Sequence, residues 1–256
     1  MTQGIDLVAH RGDRAHFPEN TLPALRGAVE AGARYLEFDI QLSADGIPVL
    51  LHDRTLERTG GTAHSVFDLT ASELQRLEVG EPSRFGERFA GVTVPTLRQA
   101  VALLNASPHV TALVEIKRHS LEYFGMDPVL DAVQEAMAEA RFPWVLISFV
   151  REALVRYRER YDTPIGWVLR DYGAETEQRA RELAPEYLII RADRVPEGAG
   201  RLWPGPWRWV IYNVESVSAV RHFQRLGAEL METDHLGELL SDPLFRQSDA
   251  GSIDRS

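Results

Sequence analysis

Residues 35–53 read YLEFDIQLSADGIPVLLHD, from Tyr35 to Asp53, and their reading decides the architecture. Tyr35–Ile40 is an apolar run carrying acids at Glu37 and Asp39, and Ile47–His52 is an apolar return. The link Ser43-Ala44-Asp45-Gly46 is too short for a parallel crossover, which takes a dozen or more residues, and Asp-Gly is a strong hairpin signal. With Asp45 and Gly46 as the two loop residues, Ala44 faces Ile47, and counting back sets Asp39 opposite His52. Glu37 and Asp39 share one strand face by the two-residue period. The count therefore gathers two carboxylates and an imidazole into one cluster. It also makes Ile47–His52 an antiparallel arm, outside any series of parallel strands.

Working outward, short apolar runs alternate with helical patterning. The strands expected are Ile5–Ala9, Tyr35–Ile40, Thr111–Ile116, Trp144–Phe149, Ile165–Leu169, Tyr187–Ile190, Arg208–Tyr212 and Glu229–Glu232. Helices are expected over Leu22–Ala31, Leu97–Leu104, Pro128–Ala140, Arg151–Tyr161, Thr176–Leu183, Glu215–Leu226 and Leu236–Leu240. Eight strands, each followed by a crossover, predict an α/β fold, a TIM (β/α)8 barrel with a β-hairpin arm after strand 2. Residues 54–95 break the alternation with Thr59-Gly60-Gly61, a charged segment, Phe85, Phe89 and Pro95. They read as a small inserted lid or subdomain above the mouth of the barrel, before the next helix, because long insertions are more often functional than plain connections. The expected organisation is one barrel domain over 1–247 with this insertion, and a polar, disordered tail at 248–256.

A chain of 256 residues suits one barrel. A net charge of −10 argues against nucleic acid or an anionic membrane as a partner. The absence of cysteine excludes disulfides, thiolate metal sites and cysteine nucleophiles. Met1-Thr2-Gln3-Gly4 leads straight into a strand with no basic leader, and no apolar stretch is long enough to span a bilayer. A cytoplasmic protein without stable membrane insertion is the expectation; the sequence carries no signal of an oligomeric state.

In a parallel barrel the reacting groups lie at the C-terminal strand ends. His10 and Arg11 end the first strand, Glu37 and Asp39 the second, and Glu115 and Lys117 the third. Ser148 and Phe149 end the fourth strand, Tyr212 and Asn213 the seventh, and Thr233 and Asp234 the eighth. Water cannot hydrate three carboxylates clustered inside a barrel, and such like charges take up protons or collect a cation. Bland readings stand beside these. Glu115 and Lys117 can form a private ion pair, Arg11 can tie the mouth together through Glu37, and Asn20-Thr21 marks a helix N-terminus. Phe149 and Trp167 read more readily as core than as a ligand platform. His16, His64, His109, His119, His222 and His235 lack a partner pattern and read as surface residues.

The ordered set His10-Arg11-Gly12, Pro18-Glu19-Asn20-Thr21, Glu37-x-Asp39, Asp45-Gly46, His52-Asp53, Pro95-Thr96-Leu97, Glu115-x-Lys117, Ser148-Phe149 and Thr233-Asp234 closely resembles the glycerophosphodiester phosphodiesterase family. These are barrel enzymes of the phospholipase-C-like superfamily, and the likeness runs from about Ile5 to Asp234. The resemblance implies hydrolysis of small glycerophosphodiesters to glycerol 3-phosphate and an alcohol. It implies that Glu37, Asp39 and Glu115 hold one divalent cation, that His10 and His52 are the acid/base pair, and that Arg11 and Lys117 bind the phosphate. An all-oxygen ligand set suits Mg²⁺ or Ca²⁺ better than zinc.

Two positions leave the family pattern. Val210-Ile211-Tyr212-Asn213 stands where Trp-Thr-Val-Asn is common, and Glu232 stands where an aliphatic residue usually precedes Thr-Asp. Both fall on an expected substrate rim of Phe149, Trp167, Arg191, Tyr212, Asn213 and Glu232. Arg170 and Arg191 suit an anionic group on the alcohol, and Glu232 suits either a cationic head group or a pair with Arg191. Two other functions stay open. One is a lysophospholipase D-like activity using Phe85, Phe89 and Phe124 as an apolar rim; the other is a non-catalytic barrel that binds phosphorylated ligands.

Overall fold

A computed structural model describes residues 5–246, so the expected tail at 248–256 lies outside the described residues. The strands are β1 Asp6–Ala9, β2 Tyr35–Leu42, β3 Pro48–Leu50, β4 Thr111–Ile116, β5 Trp144–Ser148, β6 Ile165–Leu169, β7 Tyr187–Arg191, β8 Arg208–Tyr212 and β9 Leu230–Thr233. Their order is β1-β9-β8-β7-β6-β5-β4-β2-β3, and a further β1–β2 pairing closes eight of them into a barrel. All the barrel pairings are parallel; β3 alone runs antiparallel, against the outer part of β2. This is the TIM barrel with a hairpin arm.

Strand parity divides the residues into two layers. Leu36, Phe38, Ile40, Val114, Leu146, Leu188 and Ile211 face the helices and join the main core. The alternate positions Val8, Leu113, Val145, Ile147, Val168, Ile189, Val210 and Leu230 fill the barrel interior. Stepping two residues along the same parity leads to His10, Glu115, Phe149, Arg170, Arg191, Tyr212 and Glu232. The lumen is thus apolar at mid-height and charged at its C-terminal end.

The helices that cover the barrel include Leu22–Glu30, Leu97–Leu104, Met126–Met137, Arg151–Arg158, Ala174–Leu183 and Val217–Leu226. Thr96 opens the second of these with a capping box completed by Gln99. Thr21 caps the first by accepting the Ala24 N–H, so the helix-start reading of Asn20-Thr21 holds. The helix Arg118–Phe124 escaped the sequence reading because RHSLEYF buries only Ser120 and Leu121 and has no apolar stripe. Between β7 and β8 the Pro/Gly-rich link carries only the single turn Ala192–Arg194. Among the described residues no helix is long and apolar enough to cross a membrane.

The hairpin register differs from the expected one. Ile40 pairs with Leu50, Gln41 with Val49 and Leu42 with Pro48. The Ser43 N–H donates to the Ile47 carbonyl at 3.0 Å, leaving the three-residue loop Ala44-Asp45-Gly46. The Ser43 hydroxyl tightens that loop, donating to Asp45 and accepting the Ile47 N–H, and Gly46 takes the left-handed conformation such loops require. Asp39 therefore faces Leu51, whose N–H it accepts at 3.1 Å, and not His52. A one-residue slip moves every side chain to the other face, so the ladder alone does not deliver His52. The chain instead leaves the ladder and bends. Gln41 Nε2 holds the bend by donating to the carbonyls of His52 at 3.1 Å and Asp53 at 2.9 Å.

Residues 54–95 form short helical turns, Glu57–Gly60, Val66–Asp68, Ala71–Leu74 and Pro82–Phe85. Leu56, Val66, Phe67, Leu74, Val79 and Val94 make a separate apolar cluster with Val49 and Leu51 of the arm. The segment also grips the loop after β1: Glu81 accepts the Glu19 N–H at 2.7 Å, and Arg84 donates to the Arg14 carbonyl.

Candidate active site

Glu37 and Asp39 rise from β2 on its inward parity, and Glu115 lies level with Asp39 on the neighbouring β4. One ligand atom from each lies within 4.8 Å of the others, and all three residues are buried. Parallel register explains the meeting, because Asp39 and Glu115 are direct partners across the ladder. Burial pushes the Glu37 carboxyl well up, and Asp39, Glu232 and Glu115 push it further. Burial raises Glu115 as well, with Lys117 opposing and Asp39 adding. Asp39 goes the other way: burial favours its neutral form, but Lys117 and Arg11 hold it well below the usual carboxylate range.

The Lys117 ammonium lies 2.5 Å from Asp39 and 2.7 Å from Glu115, so its ion pair is not private to Glu115. Arg11 points its guanidinium at Glu19 (2.8 Å) and Asp39 (3.1 Å), while Glu37 accepts only its backbone N–H, at 3.0 Å. The bland reading of Arg11 as a tie to Glu37 thus takes another form, because its side chain ties Glu19 and Asp39 instead. Glu37 Oε1 is buried with no hydrogen-bond partner. An orphaned buried carboxylate oxygen beside two further carboxylates is a donor set that fits a hard divalent cation.

Each histidine is oriented through Nδ1. His10 Nδ1 lies 2.6 Å from Asp234 and His52 Nδ1 lies 2.6 Å from Asp53, so each ring has its Nε2 on the side away from its aspartate. Burial lowers the His10 pKa against the opposing Asp234 hydrogen bond, favouring the neutral imidazole. For Asp53, the hydrogen bond from His52 outweighs burial, and Arg58 adds to it, holding the carboxyl well below its usual range. His52 comes beside Glu115 and Lys117 in a cavity of about 180 Å³ at the mouth, which Phe149 and Arg170 also line.

Several supporting residues were not assigned roles from sequence. Buried Glu19 receives Arg11, Arg14 and Arg58 together. Asn20 clamps Asp39 twice, donating Nδ2 to its carboxylate at 2.8 Å and accepting its N–H at 2.9 Å. The Pro-Glu-Asn-Thr run carried that signal, but only the folded loop reveals what its side chains hold.

The expected rim divides. Phe149, Arg170, Arg191, Arg194 and Tyr212 line an adjoining cavity of about 240 Å³. Arg191 is exposed and gripped by Asp193 through two bonds of 2.6 Å, so it does not pair with Glu232. Trp167 has outward parity and is 8% exposed in the main core, though it also borders a cavity with Phe149 and Arg170. Asn213 donates to Asp234 at 3.2 Å and lies 3.0 Å from His10 Nδ1, deeper than a rim position. Glu232 is not on the rim at all. It is 4% exposed, with its carboxylate 3.4 Å from His10 Nε2. The reason is parity, since Glu232 lies two residues beyond the lumen residue Leu230 on β9.

Phe85 packs on Phe89, and Phe124 on Phe67 and Tyr123; none of these phenylalanines lines the mouth cavities. His16, His64, His109, His119 and His222 are exposed, and His235 is half-buried near Glu215 and Glu238.

The profile of the Glycerophosphoryl diester phosphodiesterase family matches residues 10–184. A glycerophosphodiester phosphodiesterase of Caldanaerobacter subterraneus subsp. tengcongensis is 38% identical over 143 residues, 56% of this chain and 56% of that protein. Glycerophosphodiester phosphodiesterase 1 of Homo sapiens is 40% identical over 161 residues, 60% of this chain and 46% of that protein. The chain thus spans about half the length of these curated relatives. An Oleispira antarctica phosphodiesterase solved with the product sn-glycerol-3-phosphate superposes with a TM-score of 0.81 at 24% identity, covering 92% of this chain and 95% of that one. At that identity the likeness is one of fold.

Proposed function

Because the chain belongs to the Glycerophosphoryl diester phosphodiesterase family, we propose that it hydrolyses small glycerophosphodiesters to glycerol 3-phosphate and an alcohol. The observation that carries this reading is the pairing of a buried Glu37/Asp39/Glu115 cluster with two histidines, each oriented by an aspartate. A binder of phosphorylated ligands needs no such acid/base pair. A lysophospholipid substrate needs an apolar groove, and Phe85, Phe89 and Phe124 are engaged elsewhere.

Glu37, Asp39 and Glu115 would hold Mg²⁺ or Ca²⁺, which when bound supplies positive charge to the phosphoryl oxygens and acidity to a nearby hydroxyl. Arg11 and Lys117 bind the phosphate. His10, kept neutral by burial, takes a proton at Nε2 from the attacking nucleophile, either water or a glycerol hydroxyl whose cyclic phosphate product water then opens, and His52, nearer solvent, protonates the leaving alkoxide. Asp234 and Asp53 keep each Nδ1 protonated so that Nε2 faces the reaction. Residues 54–95 act as a wall that fixes the loop after β1 through Glu81 and Arg58.

Assay of a panel of glycerophosphodiesters and one lysophospholipid, with Mg²⁺, with Ca²⁺ and after chelation, tests the reading. Turnover of diesters that vanishes on chelation and returns with either ion is expected. Glu37→Gln, Asp39→Asn and Glu115→Gln should each weaken the ion's apparent affinity. Full turnover with metal content verified as negligible overturns the metal assignment, and turnover of the lysophospholipid alone overturns the substrate class.

A further inference from the structure

His10 on the end of β1, Glu37 on β2 and Glu232 on β9 stand on three adjacent strands, β9–β1–β2. One ligand atom from each lies within 4.8 Å of the others, and all three residues are buried. This group shares only Glu37 with the Glu37/Asp39/Glu115 cluster and has His10 and Glu232 in place of Asp39 and Glu115.

Two observations mark it as a ligand site and not merely an acidic cluster. The Glu232 side chain is 5% exposed and its carboxylate is aimed into the group, with Oε1 3.4 Å from His10 Nε2. Glu37 Oε1 is buried with no hydrogen-bond partner. The imidazole is also prepared as a donor. Asp234 at 2.6 Å engages Nδ1, and a carboxylate in that place fixes the tautomer whose Nε2 lone pair is free and strengthens it as a metal ligand.

We propose that His10, Glu37 and Glu232 form a second divalent-cation site, suited to a nitrogen-accepting ion such as Zn²⁺. One imidazole nitrogen and two carboxylates are a familiar ligand class for zinc, whereas Mg²⁺ and Ca²⁺ prefer oxygen throughout. An ion held there engages the Nε2 atom that the phosphodiesterase reading assigns to proton transfer, so it inhibits while Mg²⁺ or Ca²⁺ activates. Binding at the site is independent of that reading; the inhibition rests on it.

Equilibrium dialysis of the whole chain against Zn²⁺, with Mg²⁺ in excess, measures the binding, and zinc-edge anomalous diffraction locates the ion. The expected result is an anomalous peak between His10, Glu37 and Glu232, with affinity reduced roughly 10-fold or more in Glu232→Gln. Asp234→Asn, which leaves the ligands in place, should weaken zinc by roughly 10–100-fold through the loss of imidazole orientation. Should Glu232→Gln fail to fold, the wild-type anomalous map and Asp234→Asn decide the matter. No zinc bound, a peak confined to the Glu37/Asp39/Glu115 cluster, or unchanged affinity in both variants overturns the proposal. In the last case Glu232 is simply a carboxylic acid sharing its proton with His10. A chain that binds zinc at this site yet turns over no diester retires the phosphodiesterase reading and leaves the site standing.

Discussion

His10 and His52 are built alike but sit differently, and their variants should separate chemistry from positioning. His10→Ala and His52→Ala are each expected to lower kcat by roughly 10²–10⁴, the range for losing a positioned acid or base, with KM changed far less. Steady-state kinetics check this; a variant with near-wild-type kcat would make that histidine structural. Asp53→Asn should act through His52, reducing kcat with little effect on KM. It should also change acid stability. Asp53 is held well below its ordinary range, first by the hydrogen bond from His52 and then by Arg58. A depressed carboxyl stabilises the fold fully above its unfolded value of about 3.9 and loses that contribution as pH falls through the folded value. Urea denaturation should therefore show Asp53→Asn less stable than wild type at pH 6, with the gap narrowing towards pH 2. A gap independent of pH would remove Asp53 from the account.

Among the elements, two glycines differ in what fixes them. Gly12, in the loop from β1 to the helix Leu22–Glu30, has φ +80°, and a Cβ there would lie 2.6 Å from the Ala24 backbone carbon. Gly46, in the hairpin loop, has φ +76° and open space around it. Gly46→Ala is expected to cost about 1 kcal/mol, for the left-handed backbone alone. Gly12→Ala adds a clash with the Ala24 backbone in the first turn of the helix Leu22–Glu30, and roughly 2–4 kcal/mol is expected. Urea denaturation of both variants checks the difference; equal losses would mean the close approach at Gly12 relaxes freely. The hairpin also marks where sequence reasoning stopped. Asp45-Gly46 announced a turn, but whether the loop had two residues or three depended on the Ser43 hydroxyl bonding Asp45 and Ile47.

Taken whole, the molecule carries a net charge of −10 yet gathers cations around the mouth. Arg170 borders all three mouth cavities and lies 5.1 Å from the centre of the Phe149 ring, and among the described residues it has no carboxylate partner. Arg191, by contrast, is engaged by Asp193. Arg170→Ala should lower kcat/KM roughly 10-fold for a diester whose alcohol carries a carboxylate or second phosphate, and less for glycerophosphocholine. Arg191→Ala should matter less. Equal losses on both substrates would mean that Arg170 does not read the alcohol. The sequence by itself determined the barrel, because alternating apolar runs and amphipathic helices dictate local structure through a periodicity of two or 3.6 residues. It also determined which strand ends carry charged and titratable groups, since these begin where the apolar runs stop at His10, Glu37, Asp39, Glu115 and Lys117. Only the tertiary structure decided that His52 arrives by a bend and that Glu232 is buried against His10. It likewise decided that Glu19, Asn20, Asp53 and Asp234 engage Arg11, Asp39, His52 and His10 in turn. Those facts depend on register, closure and contacts between distant segments, and no local pattern encodes which residue of one strand meets which residue of another.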